Sequence, residues 1–130
     1  MLNPFFGIFL SKDFCYTMKR IISKIQIKNN FQVQTIQFEG LKKIGDIHNS
    51  ILNMYSQGID EIYIQDVVAS LYDRKFDDKL LNRSTFNCFV PISISGNINS
   101  LKTAKKLFAN GADKLILNTN AIKNPKIINE

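Results

Sequence analysis

The chain has 130 residues, 45% of them hydrophobic, and a formal net charge of +6. That length holds one domain with a real core, and no Pro- or Ser-rich linker divides it. The positive charge is scattered through a Lys-, Asn- and Ile-rich sequence without a dense basic run, which argues against nucleic acid as partner.

No apolar run approaches the roughly 20 residues of a membrane span, so no membrane is expected. Cys15 and Cys88 form no CxxC pair, and the single His48 has no second His nearby. Neither a metal nor another cofactor is expected, and two stray cysteines suit a reducing, cytoplasmic setting.

Residues 1–17 read as an N-terminal extension, from an upstream start codon or as a loosely attached arm. Met18-Lys19-Arg20 is a natural start for a domain over residues 18–130. The apolar stretch 4–10 is too short for a span, and no basic residue precedes it as a signal peptide requires.

The first predicted strand covers residues 21–27, with Arg20, Ile22, Lys24 and Gln26 alternating onto one face. Asn29-Asn30 supplies a turn into a hairpin-like extension over 31–38, and residues 40–45 read as a loop. Asp46 then caps a helix bearing Ile47, Ile51, Leu52 and Tyr55, which Gly58 ends. A strand over 61–64 leads to Asp66. A weaker helix over 77–87 carries Leu80, Leu81 and Ser84 on its inner side.

The third strand, 90–94, ends in Ser95-Gly96-Asn97. Ser100 caps a helix with Leu101, Ala104, Leu107 and Phe108, closed by Gly111. A fourth strand, 114–117, ends in Asn118-Thr119, and Asn124-Pro125 opens a last helix. The run Gly58-Ile59-Asp60-Glu61 recurs as Gly111-Ala112-Asp113-Lys114, 111 − 58 = 53 residues later. The repeat marks a recurring βα unit. Four such units make a parallel α/β sheet with right-handed crossovers, either half of a (β/α)₈ barrel or a short open sheet.

In parallel α/β proteins chemistry collects at the C-terminal ends of strands. Asp66 stands there, as a candidate catalytic carboxylate or as a plain loop cap. Ser95-Gly96-Asn97 precedes a helix N-terminus and can cradle a phosphate with free N–H groups, and Asn118 and Thr119 add donors on the same rim. Ordinary turn chemistry explains these residues equally well. Lys24 either points into a barrel lumen, where Asp66 is its natural partner, or lies on the helix-facing side and snorkels outward.

Several stretches share a further feature: KRII (19–22), VQTIQF (33–38), GD (45–46), GIDEIYIQDVVAS (58–70), PISISGNI (91–98) and GADKLILNTNAIKNP (111–125). From Lys19 to Glu130, in one register without a gap, the sequence resembles the N-terminal half of the cyclase subunit of imidazole glycerol phosphate synthase. That family is a TIM-type (β/α)₈ barrel of histidine biosynthesis. The resemblance implies the (βα)₄ half of such a barrel. It also implies a lyase that turns a phosphorylated ribulosyl carboxamide into imidazole glycerol phosphate with ammonia from a glutaminase subunit.

By the same resemblance, Gly96, Asn97, Asn118 and Thr119 bind phosphate. Arg20, Glu61 and Lys114 form an ammonia entrance at the opposite end, Asp113 lies near the glutaminase interface, and Asp66 is a supporting carboxylate. The chain departs from the family at its general base, an Asp, where it has Gln26. An amide is no useful proton acceptor, and such a base typically contributes about 10²–10⁴-fold. Gln34 stands where the family has a Lys of a mobile loop, and the family's second catalytic Asp lies on a fifth strand, beyond Glu130.

The expectation is therefore a truncated, catalytically impaired cyclase-like protein. The alternatives are a related barrel that amidates a surface sugar, or a non-catalytic fragment that docks a glutaminase. Four strands leave open edges, so self-association or pairing with a second half barrel is expected as well.

Overall fold

The computed structural model describes residues 19–36 and 40–129. The expected extension over 1–17, Cys15 and the end of the hairpin at Phe38 lie outside the described residues. Strand β1 (Ile22–Lys28) turns back through β2 (Phe31–Ile36) and β3 (Gly40–Gly45) before helix α1 (Ile47–Ser56). Then come β4 (Glu61–Asp66), α2 (Asp78–Thr85), β5 (Ile92–Ser95), α3 (Leu101–Ala109), β6 (Lys114–Leu115) and α4 (Thr119–Lys123). A 3₁₀ turn, Pro125–Ile128, follows.

The strands form one six-stranded sheet in the order β3-β2-β1-β4-β5-β6. Its β1-β4-β5-β6 part is wholly parallel, and the β2–β3 hairpin is antiparallel.

Alternation along the strands decides what the sheet is. Ile25, Ile27, Ile62, Ile64, Ile92 and Ile94 are 0–2% exposed and share one core with Ile47 and Ile51 of α1, Leu81 of α2 and Leu107 of α3. All three helices therefore cover the same face, with α1 beside α2 and α2 beside α3. A doubly wound sheet carries helices on both faces, and its strands are apolar throughout. Here the intervening positions are Lys24, Gln26, Glu61, Tyr63, Gln65 and Ser93, a polar face with no helix upon it among the described elements. That is the lumen side of a barrel wall.

The repeated Gly-x-Asp sequence is a repeated clamp. The Asp60 carboxylate accepts the Ile21 N–H at 2.7 Å, while its own N–H donates to the Ile21 carbonyl at 3.2 Å. Asp113 does the same to Ile92, at 2.8 and 2.9 Å. Each ties the start of its strand to the start of the preceding parallel one. Gly58 (φ 81°) and Gly111 (φ 103°) stop the helices just before. A Cβ on Gly111 would also sit 2.9 Å from Thr85 Oγ1.

Four expectations need correction. Residues 40–45 are not a loop but strand β3, paired to β2 with a bulge at Gln32/Val33. None of its residues is buried, so no apolar alternation marks it. The turn that joins β1 to β2 is Asn29-Asn30, both at positive φ (50° and 66°), as a two-residue turn between twisted strands requires.

Strand β6 is only Lys114–Leu115, although Ile116 N–H still reaches Ile94 O at 2.8 Å. The last helix expected at Asn124-Pro125 is a four-residue 3₁₀ turn, preceded by the unexpected α4. On α3 only Leu107 is buried. Leu101 and Phe108 are 39% and 49% exposed, because α2 is the only long helix beside it among the described residues.

Candidate functional site

At the N-terminal ends of the parallel strands the lumen face carries one buried carboxylate. Glu61 is 4% exposed, and Lys114 Nζ lies 2.6 Å from its Oε2. Ser93 Oγ donates to Oε1 at 2.5 Å, and Arg20 Nη1 is 3.8 Å from Oε2. The geometry follows from register: Ser93 pairs with Lys114 across β5–β6, and Glu61 begins β4. The Lys114 hydrogen bond, then that from Ser93, holds the Glu61 carboxyl below its ordinary value of 4.5, against the opposing effect of burial. Arg20, Glu61 and Lys114 are thus brought together in one cluster. Ser93 was missed, although its position between Ile92 and Ile94 was the available signal. Asp113, beside this cluster, is exposed and spends one oxygen on the Ile92 clamp.

The C-terminal ends form a cleft of about 290 Å³ lined by Gln65, Asp66, Gly96, Asn97, Asn118 and Thr119, among others. Asp66 is not free to act in it. Its Oδ1 accepts the Val68 and Ala69 N–H groups at 3.0 Å each and faces Arg74 Nη2 at 3.9 Å. This is the loop-capping role. Asp66 also sits in register with Ile27, on the helix side of the sheet.

Lys24 lies on the other side, in register with Tyr63, and places Nζ 5.6 Å from that ring's centroid. The expected Lys24–Asp66 pair does not form, because two residues on opposite faces of one sheet cannot meet. Lys24 does face the lumen, and a cation over an aromatic face is its contact there.

Asn97 is 7% exposed, and its side chain is fully engaged. Its Nδ2 donates to Asp73 Oδ1 and the Arg74 carbonyl, both at 3.0 Å, and Oδ1 accepts from Asn120 Nδ2 at 3.1 Å. The amide ties its own loop to the loop after β4 and to the start of α4, with backbone φ at 44°. Asn120 escaped the sequence reading because nothing in its spacing ties it to Asn97.

Gly96 is required by close approach, since a Cβ there would lie 3.0 Å from Asp66 Cβ. Asn118 and Thr119 are exposed at the start of α4, and the Asn118 side chain makes no cap bond. Gln26 stands beside Gln65 in register, so an amide occupies the rim end of β1. Gln34 is exposed on β2 opposite Lys42, away from this row. Among the described residues no group of three or more His, Cys, Asp or Glu can hold a metal, and no helix is long and apolar enough to cross a membrane.

A parallel wall with helices on one face, a polar lumen face on the other and a cleft at its C-terminal rim defines the (βα)₄ half of a TIM-type barrel. The chain belongs to the histidine biosynthesis protein family, whose profile matches residues 20–130. It is 36% identical over 111 residues to imidazole glycerol phosphate synthase subunit HisF of Legionella pneumophila, covering 85% of this chain and 52% of that one. The same-named proteins of Lactococcus lactis subsp. cremoris (strain SK11) and Pyrococcus furiosus are 37% and 35% identical over 112 residues. These matches cover 86% of this chain and 43% and 45% of those proteins. The chain spans about half the length of the relatives it matches.

Proposed function

We propose that this chain is a cyclase-like half barrel of histidine biosynthesis that keeps the ammonia entrance and the phosphate rim but has impaired chemistry. The carrying observation is Glu61, a buried carboxylate bracketed by Lys114, Ser93 and Arg20 at the strand starts. A charged gate of this kind is retained at the end that would face a glutaminase subunit, with Asp113 at its margin. At the other end, Gly96 with the exposed Asn118 and Thr119 would hold the phosphate of a ribulosyl carboxamide or a similar phosphorylated substrate. Asn97 contributes its backbone there, since its side chain is already spent on Asp73, Arg74 and Asn120.

The chemistry fails at Gln26. A neutral amide cannot take the proton that ring closure releases, and Asp66 is bound to its own loop and turned to the helix side. The combination of intact entrance and missing base also favours a second reading, a body that docks a glutaminase without turning substrate over. The protein would act in the cytoplasm without a cofactor.

Turnover of the phosphoribulosyl substrate with an ammonium salt tests the chemical part. The full chain is expected to show no rate above background, and Gln26→Asp alone is expected not to restore one. A measurable rate in the unaltered chain would overturn the impaired-cyclase reading.

A further inference from the structure

Two separate segments line the rim cleft, Gly96-Asn97 after β5 and Asn118-Thr119-Asn120 after β6. The second is weakly anchored. Strand β6 has only two residues, and its last ladder bond runs from Ile116 N–H to Ile94 O at 2.8 Å. Beyond it Leu117 packs against the core, and α4 is a five-residue helix without a side-chain cap bond. Among the described residues a single hydrogen bond ties 117–129 to the rest of the chain, from Asn120 Nδ2 to Asn97 Oδ1 at 3.1 Å.

The acceptor of that bond is itself fixed. Asn97 is buried, and its Nδ2 is spent on Asp73 Oδ1 and the Arg74 carbonyl of the loop after β4. Asp73 and Asn97 both hold left-handed backbone, at φ 49° and 44°. A non-glycine residue keeps such a conformation when its surroundings over-determine it. The Asn97 carboxamide therefore has no group left for a ligand, whereas the exposed Asn118 side chain makes no cap bond.

We infer that Asn120 is a positioning residue of the phosphate site: through Asn97 it holds Asn118 and Thr119 at a set distance from the Gly96-Asn97 backbone, so that one phosphate meets both segments. The inference rests on the phosphate-rim reading and adds to it how the rim is assembled. A site made of two independently moving segments must order them when the ligand arrives, which lowers affinity. A brace that orders them beforehand removes that penalty.

Titration of the full chain with ribose 5-phosphate, followed by amide NMR shifts, tests this in a double-mutant cycle. Asn120 lies outside the core and alanine favours helix, so Asn120→Ala is expected to fold with an unchanged urea midpoint. It is expected to bind the sugar phosphate about fivefold more weakly, the scale of one hydrogen bond. Asn120→Gln keeps a donor and should recover part of that loss. Asn97→Gly removes the acceptor and adopts φ 44° without strain. In that background Asn120→Ala is expected to change the affinity by less than about twofold. An unaltered affinity in Asn120→Ala, a loss that comes with a lower urea midpoint, or an equal loss with and without the Asn97 side chain overturns the brace and leaves the rim reading standing. Absence of binding by the unaltered chain overturns both.

Discussion

Lys114 Nζ lies 2.6 Å from Glu61 Oε2, across 53 residues of chain and from one side of β5 to the other. Glu61 is the group these contacts act upon. The Lys114 and Ser93 hydrogen bonds favour its charged form in the folded chain over the unfolded one, so its folded pKa is lowered. A depressed carboxyl stabilises the fold fully above its unfolded value and loses that contribution as pH falls through the folded value. Stability should therefore decline on acidification below about pH 4.5. Glu61→Gln should flatten that acid limb in urea unfolding followed from pH 7 to pH 3. Because Lys114 is half exposed, added salt should weaken the effect.

The Asp113 clamp is predicted to matter more than the Asp60 clamp. Asp113→Ala leaves the N–H of the buried Ile92 without its acceptor, which costs about 1–3 kcal/mol, whereas the exposed Ile21 N–H left by Asp60→Ala can turn to water and costs less. Asn at either position keeps an acceptor and should recover part of that loss. Urea midpoints of the four variants check this, and an unchanged midpoint in both alanine variants would refute the clamp.

Gly96→Ala should destabilise by about 1–3 kcal/mol, the usual penalty for overpacking. Its Cβ would press on Asp66 Cβ at 3.0 Å and on Phe76 at 3.4 Å, at a backbone φ of 156°. Thermal unfolding reads the shift. Gly40→Ala is the control, since nothing lies within 4 Å of a Cβ there.

Among the described residues no strand pairs with the outer edge of β6, and the lumen face leaves Ile22 and Ile116 53% and 40% exposed. Unpaired edges template further pairing. The purified chain should sediment as a dimer or larger species, or require a second half barrel to stay dispersed. A monomer that unfolds in one sharp calorimetric transition would contradict this.

The parallel wall was legible because Ile alternates with polar residues and because Gly, Asp, Ser and Pro punctuate the elements by local chemistry. Periodicity alone did not choose between a barrel wall and an open sheet, since that depends on which face the helices cover, and the family resemblance supplied the barrel. Strand β3 was hidden because its stability comes from ladder hydrogen bonds to β2 rather than from any buried side chain. Asp66 and Lys24 were paired because they lie on adjacent strands, but the period-two alternation puts them on opposite faces of the sheet. The knot of Asn97 with Asp73, Arg74 and Asn120 joins two loops and the start of α4, and no spacing rule reaches that far.

The central claim is that the Glu61 end of the wall still receives a glutaminase. Calorimetric titration of the glutaminase subunit of an imidazole glycerol phosphate synthase into the folded chain tests it most directly. Saturable binding at one glutaminase per complete barrel equivalent, weakened by Lys114→Glu, is the predicted result. A chain that is folded by circular dichroism yet gives no binding would contradict it.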